Sequence, residues 1–360
     1  MSRLGLTEAI DKALEVAMAD DDRIIVIGED VPMMRAGLFA RFGPERVREA
    51  PISEGAFLGA GVGAALGGLR PVIEIMFVDF LAVALHPLIN EAAMVDTLSG
   101  GRWQAPLLVR AACGGGYGDA GQHEQSLWGM LGSIPGLAVA VPSTPADAAG
   151  LTLSAFDHFG PVVLLEHKLL STFWLEMLAG RRRPGAELDI PESWLRGEVS
   201  DPPAPVPFGE AVIRREGSDL LIVSVAVGVH RALQATEFLA AEGIEATVLD
   251  LRTICPLDRE QLTAQAAGKR GVLVVDEDYG PYGLSAEIAA TLAEAGVEVP
   301  YARVTATGVI PYAPRLEASQ MPGVDRILAV ARALLDRHAR HGHDVVHDVA
   351  QSLVGLDERH

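Results

Sequence analysis

The sequence predicts an α/β protein built as two doubly wound domains. Three observations carry this prediction. Short apolar runs bounded by Gly or Pro recur through the first half, at 23–27 (RIIVI), 71–77 (PVIEIMF), 106–110 (PLLVR), 136–140 (GLAVA) and 161–165 (PVVLL). Such runs suit strands buried on both faces of a parallel sheet. Helical stretches separate them, near 54–68, 80–98 and 144–157, and strand–helix alternation is the signature of a doubly wound layer. The same alternation then resumes at 219–225, 245–250, 271–276 and 299–304, with helices near 228–241, 258–268 and 284–294. A chain of 360 residues is also too long for one ordinary α/β core and fits two domains.

The elements follow in order. Residues 7–20 have helical periodicity, with Thr7 as the expected N-cap. The first domain is placed at 1–180. Residues 181–208 contain RRRPG, LDIPES and DPPAPVP, and Pro-rich irregular text of this kind reads as a linker. Arg181, Arg182 and Arg183 read as a solvated charge run within it. The second domain occupies 209–337 and closes with a helix at about 322–337. The tail, 338–360, is rich in His and Asp and reads as a short helix or a disordered end. His341, His343 and His347 are expected to be solvated, and no metal site is assigned to the chain.

Composition narrows the class of function. With 29 Lys and Arg against 48 Asp and Glu, the net charge is −19. A surface this acidic argues against nucleic acid or an anionic membrane as partner. It permits docking to a basic protein surface. Cys113 and Cys255 lie far apart, outside any CxxC pattern, so reduced cytoplasmic residence is expected. The N-terminus carries Glu8 and Asp11 and reads as an amphipathic helix, not a signal peptide. No apolar run approaches the ~20 residues of a membrane span.

Several segments could carry chemistry. GAGVGAALGG (59–68) is a poor dinucleotide fingerprint, because no strand precedes its glycines at the right place. Gly59, Gly63 and Gly67 share one helix face and read as a close-packing surface for another helix, at a subunit interface. The stretch CGGGYGDAGQH (113–123) lacks the Lys-Ser/Thr ending of a phosphate loop and reads as a flexible, substrate-facing loop. The informative segments are PISE (51–54), EIMFVDF (74–80) and GQHEQS (121–126). Taken alone, Glu54 is an ordinary first-turn acid stabilised by the helix dipole. Phe80 alone is as well explained as a core aromatic, and His123 as a hydrogen-bonded loop histidine.

Together, in this order and spacing, these segments resemble the β subunit of the decarboxylating component of 2-oxo-acid dehydrogenase complexes. PVPFGEAVIRREGSDLLIVSVAVGVHRAL (205–233), TVLDLRTICPLD (247–258), GVLVVDEDYGPYGLSAEI (271–288) and IPYAPRLE (310–317) extend the likeness. So do GEDV (28–31), FGPERV (42–47) and LEHKLL (165–170), and the resemblance covers about 4–335. It implies an N-terminal transketolase-like pyrimidine-binding domain and a C-terminal transketolase-type domain with an assembly role. It also implies a heterotetramer of two α and two β subunits, docked to a lipoyl-bearing acyltransferase core. Thiamine diphosphate would be shared with the α subunit, which would hold the diphosphate and its magnesium. No GDG motif with following asparagines occurs here; GDA (118–120) does not fit. Glu54 then matches the activating glutamate that hydrogen-bonds the aminopyrimidine, Phe80 the aromatic packed on it with Met76 nearby, and His123 the histidine facing the substrate. Asp250, Arg252 and Glu277 are expected to be structural or interfacial.

The sequence departs from the pattern in places. His86 and Pro87 replace a usual Asp-Gln pair, and Met94, Val95, Asp96 and Thr97 replace basic and aromatic residues. FDHFG (156–160) lacks the side chains that usually accompany a monovalent cation held by backbone carbonyls near 155–160. The resemblance implies action on pyruvate or a branched-chain 2-oxo acid. EIMFVDF and LEHKLL slightly favour an acetoin dehydrogenase β subunit over branched-chain substrates. A non-catalytic assembly subunit is the third reading, and the retention of Glu54, Phe80 and His123 argues against it.

Overall fold

The computed structural model describes residues 1–178 and 190–340. The arginine run and the tail histidines lie outside the described residues. The first half contributes β1 (Ser2–Gly5), β2 (Ile24–Gly28), β3 (Val47–Glu49), β4 (Arg70–Phe77), β5 (Leu108–Cys113), β6 (Ala138–Ala140), β7 (Val162–His167) and β8 (Arg196–Val199). The second contributes β9 (Val212–Arg215), β10 (Leu220–Ser224), β11 (Ala246–Asp250), β12 (Thr253–Cys255), β13 (Gly271–Tyr279) and β14 (Tyr301–Ala306).

Two parallel-rich sheets result. One has the order β12-β6-β7-β5-β4-β2-β3, the other β14-β13-β10-β11-β9. Every expected apolar run lies within or overlaps a strand. The central strands β5, β7, β10 and β11 are buried along their whole length, as strands covered by helices on both faces must be.

Sequence periodicity missed the edges. β12 belongs to the second domain by sequence, yet it pairs antiparallel with β6 and completes the first domain's sheet. The apolar core crosses the same boundary: Val109, Trp128 and Ile134 pack in one cluster with Leu221, Leu249 and Ile254. The two domains are therefore joined by a strand and a continuous core.

Three expectations need correction. Thr7 does not cap the first helix, which spans Leu6–Asp20 with Gly5 at the N-cap. Thr7 lies inside it, buried, its hydroxyl bonded to Glu166 and Ser171. The stretch 181–208 is not all linker: Glu192–Leu195 forms a helical turn, and β8 pairs antiparallel with β1. The single helix expected at 80–98 is three pieces, a 3₁₀ segment Val78–Ala84, a π-helical segment Pro87–Ala93 and an α-helix Val95–Ser99. Pro87 starts its segment, as a residue without a backbone N–H should. The last helix runs to Arg340.

Candidate active site

The candidate residues gather at one edge of the first sheet. Read across the order β3, β2, β4, β5, β7, the carboxyl ends of five neighbouring parallel strands lead into Glu54, Glu29, Phe80, His123 and Lys168. Ligands of open α/β sheets bind in the crevice outside those ends, so the topology alone brings distant sequence segments to one mouth.

Glu54 is the first residue of the helix Glu54–Leu66. It is half-buried, with no hydrogen bond or ion pair to any described residue. The helix packs against the 3₁₀ segment that bears Phe80. Glu29 joins it from the end of β2. Burial, then the charges of Asp30, Glu54 and Glu49, push its carboxyl above the ordinary range. GEDV thus carries a second acid beside Glu54, which the sequence reading did not single out.

Phe80 and His123 meet edge to face, with ring centroids 5.6 Å apart. Phe77 completes the cluster, 5.4 Å from Phe80 and 5.7 Å from His123, and Met76 packs with the same group. Two of the four predicted side chains, Met76 and Phe80, therefore join Phe77 in one apolar wall around a third, the imidazole of His123. Glu54 stands apart from it with its carboxylate free.

The loop before His123, expected to face the substrate, is tied to the second domain at three points. Gly114 has φ +83, and a Cβ there would lie 2.0 Å from His167 Nε2, so only glycine passes this point. Gly115 N–H donates to Glu277 at 3.4 Å, Gly116 N–H to Glu317, and Gly121 N–H to the Ile310 carbonyl at 2.9 Å. All three acceptors belong to the second domain. The His123 carbonyl takes the Tyr117 hydroxyl at 2.8 Å and Lys168 Nζ at 2.5 Å. Lys168 is 1 % exposed, sits over the rings of Phe77 and Tyr117, and burial holds its ammonium below the usual lysine range. LEHKLL was recognised as a motif, but the contacts of Lys168 depend on folding.

Two buried ion networks fix the scaffold. Glu74, Arg110 and Glu166 sit on adjacent strands β4, β5 and β7; Arg110 reaches Asp11 at 2.7 Å and Glu166 at 2.9 Å, and Arg35 reaches Glu74 at 3.1 Å. Across the domain boundary, His167 Nε2 lies 2.7 Å from Glu277. His167 Nδ1 accepts the Leu169 N–H, so the neutral tautomer with its proton on Nε2 donates to an ionised Glu277. Against the cost of burial, His167 and Arg231 hold Glu277 down to about 2. Asp250 and Arg252 are also interfacial, with Ser143 bonded to Asp250 and Arg252 paired with Asp147 at 3.2 Å.

The residues suit one half of a cofactor. A carboxyl group at the start of a helix that packs on the segment bearing Phe80 has the chemistry to hydrogen-bond a ring nitrogen. Among the described residues, no cluster of three or more His, Cys, Asp or Glu could hold a metal ion. In the 155–160 loop, His158 Nδ1 turns back on the Gly160 backbone at 3.2 Å.

Fold and candidate residues thus define a two-domain α/β protein with an acid, an aromatic wall and an imidazole at the carboxyl edge of its first sheet. Comparison with known proteins agrees. Residues 2–172 match the family described as the transketolase pyrimidine binding domain, and 209–327 the transketolase C-terminal domain. The chain is 36% identical over 348 residues to the 2-oxoisovalerate dehydrogenase subunit beta of Bacillus subtilis (strain 168), covering 93% of this chain and 100% of that protein. It is 34% identical over 358 residues to that organism's acetoin:2,6-dichlorophenolindophenol oxidoreductase subunit beta, covering 93% and 98%. It is 33% identical over 346 residues to its pyruvate dehydrogenase E1 component subunit beta, covering 93% and 100%. A solved structure, a split gene transketolase as an inactive β4 tetramer, shares the fold with a TM-score of 0.72 at 23% identity, covering 92% of this chain and 98% of that one. The chain belongs to the transketolase-type family of 2-oxo-acid and acetoin dehydrogenase β subunits.

Proposed function

We propose that this chain is the β subunit of a thiamine-diphosphate-dependent 2-oxo-acid dehydrogenase. It acts on pyruvate or a branched-chain 2-oxo acid, is active only with an α subunit, and passes the acyl group to a lipoyl group. The observation that carries the proposal is that Glu54, at the start of its helix, and the Met76–Phe80–His123 cluster follow the carboxyl ends of neighbouring parallel strands. The assembly is an α2β2 heterotetramer in the cytoplasm, docked to a lipoyl-bearing acyltransferase core. Magnesium belongs with the diphosphate on the α subunit.

Thiamine diphosphate, when bound, supplies the nucleophilic carbon and the electron sink for decarboxylation. Glu54 would hydrogen-bond the aminopyrimidine ring nitrogen, as a carboxyl with no partner among the described residues is placed to do. Phe80 and Met76 pack the ring and exclude water. His123 faces the substrate as a hydrogen-bonding group, its imidazole oriented by Phe77, Phe80 and the anchored loop.

The helix Glu54–Leu66 marks the partner surface. Ala56, Ala60, Gly63 and Gly67 are exposed along it, whereas Gly59 of the expected face is half-buried with Pro87 beside it, and a Cβ added at Gly63 would meet no other described residue within 4 Å. Ile52 and Val83 are exposed beside it, at 75% and 70%. A small-residue face this bare suits close approach of another helix, and we assign it to the α subunit.

EIMFVDF and LEHKLL support a second reading, acetoin as acyl donor. Reconstitution with the α subunit tests both. Lipoyl-dependent turnover of pyruvate or 2-oxoisovalerate is the expected result. Turnover of acetoin alone favours the second reading, and no turnover of any donor refutes both.

A further inference from the structure

Two carboxyl groups from different domains meet behind the loop that carries His123. Glu124 is 0% exposed and follows His123 directly; Glu317 is 2% exposed and sits on the second domain's Pro314–Gln320 helix. Each accepts a backbone N–H from the same loop, Glu124 Oε1 from Asp119 and Glu317 Oε1 from Gly116. The other oxygen of Glu124, Oε2, is buried and finds no donor. It lies under Gly115, where an added Cβ would stand 3.2 Å from it and 3.1 Å from Met321 Cε. The two side chains are within hydrogen-bonding reach of each other.

Two ionised carboxylates in one dry pocket repel, and a buried acceptor without a donor is costly. A single proton between them removes both costs. We infer that Glu124 and Glu317 share one proton across the domain boundary, and that this shared proton holds the His123 loop in its working position. Glu124 is thus a positioning residue, and the second domain reaches the chemistry through it. The inference rests on the role given above to His123.

The surrounding charges agree. Burial, then Glu317, push Glu124 up to about 9; the Asp119 amide and Lys168 oppose this only in part. Asp79 and Glu277 hold neighbouring amides of the same loop, those of Gln125 and Gly115, and Tyr117 and Asp119 lie within electrostatic range. Asp79 and Glu277 add negative charge, which favours keeping the proton. Lys168 is the one facing cation among the groups named, and it is committed to the His123 carbonyl. Loss of the proton leaves Glu124 and Glu317 as like charges, separates the loop from the second domain and moves His123.

Difference infrared spectroscopy on the full chain tests the proton directly. Wild type shows a neutral-acid carbonyl band at pH 7 that disappears above about pH 9. Glu124→Gln lacks the band because the acid is gone. Glu317→Gln lacks it at pH 7, because an amide can donate to Oε2 and Glu124 then ionises. Absence of any wild-type band removed by these variants overturns the inference. In the assembled enzyme, wild-type kcat/KM falls about tenfold per pH unit above that midpoint, as for one controlling ionisation, and Glu124→Gln loses this fall. An unchanged alkaline limb in Glu124→Gln overturns the positioning role. An assembly that turns over no donor refutes the proposed function instead, and the infrared result still decides the proton.

Discussion

In the proposed function the chemistry turns on Glu54, and its surroundings make a clean test. It is half-buried, begins a helix and bonds to no described residue, so removing it breaks nothing inside the chain. Glu54→Ala should leave thermal unfolding of the isolated chain within about 1 kcal/mol of wild type. The same change should cost the assembled enzyme roughly 10²–10⁴ in turnover, the usual worth of a positioned proton donor. Steady-state kinetics beside calorimetric melting separates the two effects. Equal losses in both would make Glu54 a structural acid. Motifs singled out Glu54, Met76, Phe80 and His123 in the sequence as candidates, and the fold brings Met76, Phe80 and His123 together. Lys168, Glu124 and Glu317 were not legible as a group. A buried Lys, a buried Glu and a second Glu from another domain have no spacing in common, and only the fold shows that they face one loop.

At the scale of elements, the helix Glu54–Leu66 distinguishes two uses of glycine. A Cβ at Gly61 would meet Ile73 Cδ1 at 2.4 Å, and Ile73 is fully buried. Gly61→Ala should therefore cost about 1–3 kcal/mol through overpacking. A Cβ at Gly63 would meet no other described residue within 4 Å. Gly63→Ala should stabilise the isolated chain by up to about 1 kcal/mol, the helix-propensity gain. Gly63→Leu should spare the chain and weaken its association with the α subunit, read by analytical ultracentrifugation. Undiminished association in Gly63→Leu would move the interface elsewhere. The strands follow the same logic of visibility. β5, β7, β10 and β11 are unbroken apolar runs because both faces are covered. β9 is half-exposed throughout, β12 is three residues long and pairs with a strand from the other domain, and β8 needs β1, almost the whole first domain away. Local periodicity carries no record of such pairings.

At the scale of the molecule, the domains are clamped by buried charge as well as by apolar core. Glu277, held at about 2 against an ordinary 4.5, favours the folded state in its ionised form. Its contribution is fully present above about pH 4.5 and is lost as pH falls toward 2. Stability of the isolated chain should therefore drop over that window, and Glu277→Gln should flatten the drop. Glu277→Ala, which strands His167 and Arg231, should cost about 3–5 kcal/mol. Denaturant titrations across pH check both, and a wild-type slope retained in Glu277→Gln would assign the acid sensitivity to other carboxylates. The acidic surface, at −19 overall, points any docking of the assembly toward a basic partner.

The central claim is that this chain supplies only the pyrimidine half of a shared cofactor site. Calorimetric titration of thiamine diphosphate with magnesium, on the chain alone and then with the α subunit, tests it most directly. The account predicts binding in the mixture and none by the chain alone. Tight, magnesium-dependent binding by the chain alone would mean that it holds a complete site, and would contradict the account.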